Sequence, residues 1–352
     1  GAINEPELAE QILVQGKADL VALCRAITAD PEWPNKVAQG RPEEIRPCIR
    51  CNDCLDSILP GTPMRCRVNF LEGRESMYRL APARESKKVV VVGGGAAGME
   101  AARTACLRGH EVTLFEKESE LGGLLIPACV IPTKEDLGKL FQWYKNEMTR
   151  LPIDVRCGTE VTPELICGLS ADALIVASGH GTVSNKPRIG GVDHPMVITT
   201  MDLLTGKAEP TDSVVIGGGF MGCDVSQHIA FAGAKVTMLT RYDRDHIGGT
   251  VGFFTRNSLF ELLHKLKVEV RDSVNYRRIT DDGVVIENKD GEEELIPAQC
   301  VVLANGFKID LDNIAKWQGC APEIYQVGNC IDPANIHGMT RQANTAVYRI
   351  GV

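Results

Sequence analysis

Short apolar runs that end in glycine clusters occur twice along the chain. Residues 88–92 read Lys-Val-Val-Val-Val and residues 213–216 read Ser-Val-Val-Ile, and each run leads into a glycine-rich turn. Continuous apolar runs of this length are typical of strands buried on both faces of a parallel sheet. A helix-like stretch and a second apolar run follow each turn, at residues 111–115 and 235–239. The pattern predicts two βαβ units, each able to bind a nucleotide.

Apolar runs elsewhere predict further elements. Additional strands are expected at residues 172–177, 283–287 and 300–304. Asp-Gly pairs at 282–283 and 290–291 predict a hairpin, because these pairs turn the chain tightly. The sheet regions are therefore mostly parallel, with one antiparallel addition.

The first 86 residues have a different pattern. A helix is predicted near residues 5–15, a strand at 19–23, and a second helix from Asp30 and Pro31 onward. Residues 57–86 are rich in Pro, Arg and Gly, and this composition predicts a linker that wraps rather than packs.

Bulk composition narrows the class of protein. With 352 residues, 44% hydrophobic and 24% charged, the chain has the composition of a soluble globular protein and enough length for two or three domains. Its net charge of −8 argues against a nucleic-acid partner, which needs a concentrated basic surface. No run of about 18 apolar residues occurs, and residues 1–5 have neither the basic start nor the apolar stretch that is typical of a signal peptide. We therefore expect no membrane partner and a cytoplasmic location, and self-association stays open.

The first glycine cluster matches a dinucleotide-binding motif. Its G-x-G-x-x-G residues are Gly93, Gly95 and Gly98. Such glycines form the tight turn, admit a pyrophosphate close to the backbone, and let helix and strand pack together. Glu116 ends the second strand, where an acid accepts hydrogen bonds from an adenosine ribose. Gly122 and Gly123 offer a second flexible stretch near the diphosphate. The alternative is a purely structural glycine turn.

The second glycine cluster repeats the motif with a different residue at the acid position. Its glycines are Gly217, Gly219 and Gly222. Thr240 stands where Glu116 stands in the first copy, and Arg241 and Arg244 follow it. Arginine pairs with a ribose 2′-phosphate, which a carboxylate would repel, so this site is predicted to prefer NADPH over NADH. The alternative is that both arginines are solvated loop charges.

Four of the thirteen cysteines are clustered. Nine are scattered, several in apolar runs (Cys24, Cys106 and Cys300), and are interpreted as small buried hydrophobes. The remaining four are Cys48, Cys51, Cys54 and Cys66. Three close thiolates and one distant thiolate suit a [4Fe–4S] cluster better than zinc, which usually takes two pairs. Zinc and no metal remain the alternatives.

The cysteine segment resembles that of a flavoprotein family. The residues that carry the resemblance are Arg46-Pro47-Cys48-Ile49-Arg50-Cys51-Asn52 and Cys66-Arg67-Val68-Asn69. They are similar to the iron–sulfur segment of 2,4-dienoyl-CoA reductase, 2-enoate reductase and trimethylamine dehydrogenase, which are old yellow enzyme-like iron–sulfur flavoproteins. Those members commonly have three residues between the second and third cysteine, whereas this chain has two. The loop geometry is therefore expected to differ at Cys54.

The resemblance extends to the FAD domain of flavoprotein reductases with two dinucleotide sites. It implies four further FAD-binding residues, Ala177, Gly179, Gly328 and Asn329. In the family an aspartate usually follows the glycine at the position of Asn329 and holds a ribityl hydroxyl. The amide of Asn329 can also hydrogen-bond a hydroxyl, so FAD binding is still expected.

The resemblance also implies a domain order. In the family a flavin-binding (β/α)8 barrel precedes the cysteines, residues 1–45 are similar to its last portion, and Arg25 matches a residue that holds the FMN phosphate. The predicted fold class is α/β, with two Rossmann-like dinucleotide-binding domains for FAD and NAD(P)H, preceded by an iron–sulfur segment and the tail end of a TIM barrel. The predicted layout is 1–45 barrel remnant, 46–86 iron–sulfur segment and linker, 87–208 and 305–352 FAD domain, and 209–304 NAD(P)H domain.

The function implied by this resemblance is that of an NAD(P)H:flavin oxidoreductase. Hydride passes from NAD(P)H to FAD, and single electrons pass through the [4Fe–4S] cluster to an FMN barrel that reduces an activated C=C. The chain would supply the electron-input half, with the barrel on a missing portion or a partner subunit. The alternatives are an amine dehydrogenase fragment with ADP in the second site, a non-catalytic redox module and a glutamate synthase-like small subunit. Disulfide reductase chemistry is disfavoured because Cys129 and Cys223 stand alone.

Overall fold

The structure is a computed structural model that describes residues 2–179, 186–249, 251–307, 309, 312, 315–331 and 335–352. The chain divides into two compact units. The first contains Gly1–Ile126, Asp136–Gly181 and Ile309–Val352, and the second contains Pro127–Glu135 and Thr182–Lys308. The second unit is therefore inserted, in sequence, into the first.

The described residues form helices and strands in alternation. The helices are α1 (Pro6–Val14), α2 (Arg25–Ala29), α3 (Trp33–Ala38), α4 (Asp53–Ile58), α5 (Ala96–Leu107), α6 (Leu125–Ala128), α7 (Glu135–Arg150), α8 (Pro163–Gly168), α9 (Thr200–Leu204), α10 (Phe220–Phe231), α11 (Phe253–Lys265) and α12 (Ile336–Arg349). The strands are β1 (Lys88–Val92), β2 (Glu111–Phe115), β3 (Ile153–Arg156), β4 (Ala173–Val176), β5 (Val197–Thr199), β6 (Ser213–Ile216), β7 (Val236–Leu239), β8 (Glu269–Arg271), β9 (Asn275–Thr280), β10 (Gly283–Glu287), β11 (Glu293–Pro297), β12 (Cys300–Leu303) and β13 (Glu323–Gln326). Short 3-10 turns occupy Pro42–Glu44, Pro132–Lys134, Arg244–His246 and Gly328–Cys330.

A five-stranded parallel sheet organises the first unit. Its strand order is β13-β4-β1-β2-β3, and Val89 pairs with Val112 on one side and Ala173 on the other. The central strands β1 and β4 are buried on both faces, which explains why they are continuous apolar runs. Helices α5, α7 and α12 contribute to the core on one face of this sheet, and Trp317 packs in a second core that contains Val90 and Val92.

The second unit repeats this arrangement and adds an antiparallel sheet. Its parallel sheet has the order β5-β12-β6-β7-β8, and the three-stranded sheet has the order β11-β10-β9. The predicted hairpin is confirmed, since β9, β10 and β11 pair in antiparallel register. Gly283 has a φ of +143°, and a Cβ there would overlap the carbonyl oxygen of Ile296, so this turn requires glycine. The predicted α/β fold class with two Rossmann-like regions is confirmed.

The N-terminal segment differs from the sequence expectation in one element. The predicted helices form as α1 and α3, but the described residues 2–45 contain no strand, so the strand predicted at 19–23 is wrong. Leu20 in that run is 87% exposed. An apolar run without a neighbouring strand has no partner for its backbone groups and does not form a ladder.

Two other expectations need correction. Residues 57–86 do not only wrap around the outside, because Val68, Asn69 and Phe70 are buried. The scattered cysteines are not uniformly buried: Cys24 is exposed, and Cys106 and Cys300 are half-buried. Apolar neighbours in the sequence do not place a residue inside unless its side of the element faces the core.

Among the helices that the structure describes, we find none with the length and apolar character needed to cross a membrane.

Candidate cofactor sites

The first glycine turn is shaped by close backbone contacts in the first unit. Gly93 has a φ of +109°, and a Cβ on it would overlap the carbonyl oxygen of Ala177. A Cβ on Gly98 would overlap the carbonyl oxygen of Gly93. In contrast, a Cβ on Gly95 would have no atom within 4 Å. The outer two glycines are therefore required by packing, whereas the middle one leaves open space at the start of α5.

Glu116 lies against this turn. It is buried directly after β2, where its Oε2 accepts a hydrogen bond from the backbone N–H of Gly94 at 2.6 Å. Its Oε1 accepts from the N–H of Glu118 at 3.0 Å. The structure thus brings the carboxylate to the glycine motif, as its spacing predicts. Its contact with a ribose stays a prediction.

A second glycine pair meets the same turn. The N–H of Gly122 donates to the carbonyl of Gly94 at 2.9 Å, and Gly122 forms an isolated parallel bridge with Gly95. Gly123 has a φ of +52°, and its Cβ would lie 3.3 Å from the Cα of Gly95. The two glycine segments therefore form one continuous backbone surface.

The remaining predicted FAD residues lie in two segments near α5, one after β4 and the other after β13. Ala177 is buried at the end of β4, where its N–H donates to Val92 at 2.8 Å, and Gly179 follows with a φ of +73°. Gly328 has a φ of +75°, and its Cβ would lie 2.8 Å from the Cβ of Ala97. Asn329, half-buried, comes next. Two segments that are distant in the sequence thus reach the N-terminus of α5.

The second glycine turn reproduces the contacts of the first. Gly217 has a φ of +133°, and its Cβ would lie 2.5 Å from the carbonyl oxygen of Ala304. A Cβ on Gly222 would overlap the carbonyl oxygen of Gly217, and a Cβ on Gly219 would meet no atom within 4 Å. The open position is again the middle glycine, at the start of α10. Two turns with the same occluded and open positions indicate two nucleotide sites.

The acid position of the second turn has a different environment. Thr240 is only 1% exposed, and its Oγ1 accepts a hydrogen bond from the N–H of Tyr242 at 3.1 Å. A Cβ on Gly218 would overlap the Thr240 side chain, so Thr240 fills the place that Glu116 has beside Gly94. The Thr240 hydroxyl is thus enclosed by protein, and its contact with NAD(P)H stays a prediction.

Arg241 is exposed next to Thr240. Its guanidinium carbon lies 5.2 Å from the ring centroid of Tyr276, whose hydroxyl donates to the carbonyl of Leu239 at 3.1 Å. Burial raises the pKa of Tyr276 to about 12, so the phenol stays neutral and its ring can support a cation. Arg244 is also exposed, 5.6 Å from the ring of Phe260.

The four clustered cysteines line one pocket. The pocket's lining residues are Arg25, Thr28, Cys48, Ile49, Cys51, Asn52, Cys54, Cys66, Arg67 and Val68. Arg50 and Asn52 have left-handed φ values of +49° and +57°, so the loop turns on each side of Cys51 before α4 begins. Cys54, at which the spacing departs from the resembled family, lies in the same pocket as the other three. The structure therefore brings together all four predicted ligands.

Burial and nearby cations act on these thiols in opposite directions. Burial raises the pKa of all four, that of Cys66 to about 12. Arg67 lowers the pKa of Cys51, and Arg25 lowers that of Cys48. A buried thiolate set of this kind needs a positively charged partner, and the iron of a cluster is such a partner. The donor set fits sulfur-bound iron.

Arg25 lies on the cysteine pocket. Its Nη1 donates to Oδ1 of Asn52 at 2.8 Å. The structure thus places Arg25, at the start of α2, against Asn52, which lies between Cys51 and the start of α4, the helix that carries Cys54. Its predicted contact with an FMN phosphate stays a prediction.

Two residues beside the cysteines had no signal in the sequence. Asp53 is buried, and its carboxylate lies 3.5 Å from Arg67 and 3.6 Å from Nδ1 of His337. His337 Nδ1 also lies 3.4 Å from the carbonyl oxygen of Cys66. Because His337 is 271 positions from Cys66, only the folded chain reveals that α12 supports the cysteine loop.

A family model matches most of the chain. Residues 87–347, and in a second match 61–166, fit the model of the "Pyridine nucleotide-disulphide oxidoreductase" family. The chain belongs to this family. Membership implies the use of a flavin and NAD(P)H. Both glycine turns described above lie within the longer match.

Comparison with individual relatives and solved structures narrows the family. It is 40% identical to an NADH oxidase of Thermoanaerobacter brockii over 94% of this chain and 53% of that protein. It is 33% identical to a cinnamate reductase of Clostridium sporogenes, over 96% of this chain and 50% of that protein. The solved structure of a 2-naphthoyl-CoA reductase complex matches with a TM-score of 0.92 and 33% identity, over 99% of this chain and 53% of that one.

These matches confirm the predicted family, that of 2,4-dienoyl-CoA reductase, 2-enoate reductase and trimethylamine dehydrogenase. The chain spans about half the length of the curated relatives it matches.

Proposed function

We propose that this chain is the electron-input part of an NAD(P)H-dependent flavin and iron–sulfur oxidoreductase. FAD binds to the first unit, NAD(P)H to the second, and a [4Fe–4S] cluster to the cysteine pocket. The observation that carries the proposal is the repeated glycine turn. The middle glycine of each motif, Gly95 or Gly219, is open, while the first and last glycines of each motif are closed by backbone oxygens. A dinucleotide site needs this combination, because only the ligand's pyrophosphate should fill the open position.

Three parts of the first unit would hold FAD. The turn at Gly95 offers backbone N–H groups at the start of α5, Glu116 lies beside it for the ribose, and Asn329 follows Gly328, which lies close to Ala97 of α5, for the ribityl chain. When bound, FAD accepts two electrons as hydride and releases them singly. Ala177 and Gly179, after β4, extend the same backbone surface.

The pattern of the four cysteines supports a cluster over zinc. Structural zinc sites usually take two pairs of closely spaced ligands, whereas Cys48, Cys51 and Cys54 are close together and Cys66 is distant. All four cysteines line one pocket. In a [4Fe–4S] cluster each of four thiolates would bind a different iron.

The electron acceptor in this proposal is an FMN-containing barrel that reduces an activated C=C, such as that of an enoate or a dienoyl-CoA thioester. The relatives named cinnamate reductase and 2-naphthoyl-CoA reductase support this substrate class. Residues 1–45 would be the last portion of that barrel, on the same polypeptide or completed by another subunit. Arg25 would then lie between the cysteine loop and the FMN phosphate.

An amine dehydrogenase with ADP in the second site is the competing proposal. ADP would need the pyrophosphate-binding turn but no access for a nicotinamide. ADP has no 2′-phosphate, so the exposed Arg241 beside the second turn favours a working NAD(P)H site.

The decisive experiment measures flavin reduction. The purified, anaerobic chain is mixed with NADPH or NADH, and the visible absorbance of the flavin is followed. We expect full bleaching with the wild-type chain. Gly219→Ala should keep its FAD content and need at least about tenfold more NAD(P)H for the same rate, because the new methyl group fills the pyrophosphate position.

Gly138→Ala is the matched control for that variant. Gly138 lies in α7 and a Cβ there meets no atom within 4 Å, so the substitution should leave reduction unchanged. A flavin that stays oxidised with both nucleotides would contradict the proposal and favour the ADP alternative.

A further inference from the structure

Two cysteines outside the cysteine pocket lie in direct contact within the first unit. Cys167 belongs to α8, and Cys320 lies in the turn ahead of β13. Their Sγ atoms are 2.7 Å apart, although the residues are separated by 153 positions. Cys320 is 6% exposed and packs in the core with Trp317, whereas Cys167 is exposed. One thiol of the pair is therefore reachable from solvent and the other is held beneath it.

This distance leaves no room for another atom between the two sulfurs. A disulfide needs its sulfurs at about 2.05 Å, so they would have to approach by about 0.7 Å. Both residues stand at element ends rather than in a strand ladder, where a shift of this size requires little rearrangement. The carbonyl oxygen of Pro163, at the start of α8, lies 3.6 Å from the Cys320 sulfur and is a second contact between this sulfur and α8.

We propose that Cys167 and Cys320 form a reversible disulfide when the chain meets a low-molecular-weight disulfide such as oxidised glutathione. The exposed Cys167 thiolate attacks one sulfur of the reagent, forms a mixed disulfide and releases one thiol. Cys320 then attacks the Cys167 sulfur and releases the second thiol. Two electrons pass from the two cysteines to the reagent disulfide, and their two protons leave on the released thiols.

The bond would link the two chain segments that flank the inserted unit. Cys167 precedes the exit from the first unit at residue 181, and Cys320 follows the return at residue 309. The disulfide would fasten the segment before β13, and β13 leads directly to Gly328. A cross-link that closes so long a loop restricts the unfolded chain strongly, so the oxidised protein should unfold at a temperature higher by about 5 °C.

Peptide mapping without reduction tests the bond. The anaerobic, cluster-loaded chain is treated with oxidised glutathione, free thiols are alkylated, and the protein is digested with trypsin. We expect residues 157–188 to be linked to residues 317–341, with fragmentation placing the bond at Cys167 and Cys320. Reduction should release both peptides and restore alkylation of both cysteines.

Matched variants distinguish a bond between Cys167 and Cys320 from bonds that involve the other cysteines on the same two peptides. Cys167→Ser should abolish both the linked peptide and the shift in unfolding temperature. Cys157→Ser, which removes the other cysteine of residues 157–188, should preserve both. Full alkylation of Cys167 and Cys320 after oxidation, a lasting glutathione adduct on Cys167, or a link through Cys157 or Cys330 would overturn the proposal.

Discussion

At the residue scale, Gly98 and Gly95 of the first turn have different roles: the first is required by packing, and the second leaves space for a ligand. A Cβ on Gly98 would overlap the carbonyl oxygen of Gly93, whereas a Cβ on Gly95 meets open space at a φ of −74° that any residue adopts. We expect Gly98→Ala to lower the free energy of unfolding of the apoprotein by more than about 2 kcal/mol. Gly95→Ala should change it by less than about 0.5 kcal/mol but weaken FAD binding at least about tenfold.

Denaturant unfolding of the apoprotein and FAD titration give the two readouts. Gly138→Ala serves as the control for the substitution itself, because it lies in a helix with free space around it. Equal loss of apoprotein stability in Gly95→Ala and Gly98→Ala would show that the open position is not reserved for a ligand.

Arg241 carries the predicted preference for NADPH. Thr240 is buried and already hydrogen-bonded, so the exposed guanidinium beside it is the group available to a 2′-phosphate. A charge-assisted pair of this kind contributes about 1.5–3 kcal/mol. Arg241→Ala should therefore raise KM for NADPH by about tenfold or more and leave KM for NADH within about twofold. Steady-state reduction of an artificial acceptor measures both, and a wild-type chain that prefers NADH would contradict the prediction.

At the scale of elements, the sequence predicts the centres of the sheets better than their edges. The central strands β1, β4, β6 and β12 are buried on both faces and are continuous apolar runs. Within the two parallel sheets, the strands that the sequence pattern did not predict are β3, β5, β8 and β13, and these are the outermost strands. An edge strand is partly solvated, so its composition carries a weak signal. The run at 19–23 is the opposite case: its sequence is apolar, but it has no neighbouring strand to pair with and forms no strand.

Helices α5 and α12 are joined by a polar contact that the sequence pattern does not reveal. Asn344 donates to Oε1 of Glu100 at 2.8 Å and accepts from the hydroxyl of Thr104 at 3.0 Å, and all three residues are buried. Asn344→Ala would remove the hydrogen bond to Oε1 of the buried Glu100 and leave only the 4.0 Å ion pair with Arg46 at that atom, so the free energy of unfolding should fall by about 2–3 kcal/mol. Gln142→Ala, on the exposed side of α7, should change it by less than about 0.5 kcal/mol. Thermal or denaturant unfolding distinguishes these outcomes.

At the scale of the whole molecule, the cysteine site combines predictable and unpredictable parts. The close spacing of Cys48, Cys51 and Cys54 indicates that the three bind one metal centre. The environment of that loop comes from remote segments: Arg25 precedes it on α2, and His337 approaches from α12. No local pattern encodes such long-range contacts. Arg25 and His337, which come from distant parts of the sequence, thus both contact the cysteine segment.

Electron counting tests whether the sites act as one system. If FAD and the cluster share electrons, the anaerobic wild-type chain should take up about 1.5 equivalents of NADPH per FAD, because it stores two electrons on the flavin and one on the cluster. Cys66→Ala should lose most of its iron and take up about 1.0 equivalent, while flavin bleaching persists. Cys106→Ala, a half-buried cysteine that does not line the pocket, should behave as wild type. A wild-type chain with full iron content that stops at about 1.0 equivalent would show that NADPH does not reduce the cluster through the flavin.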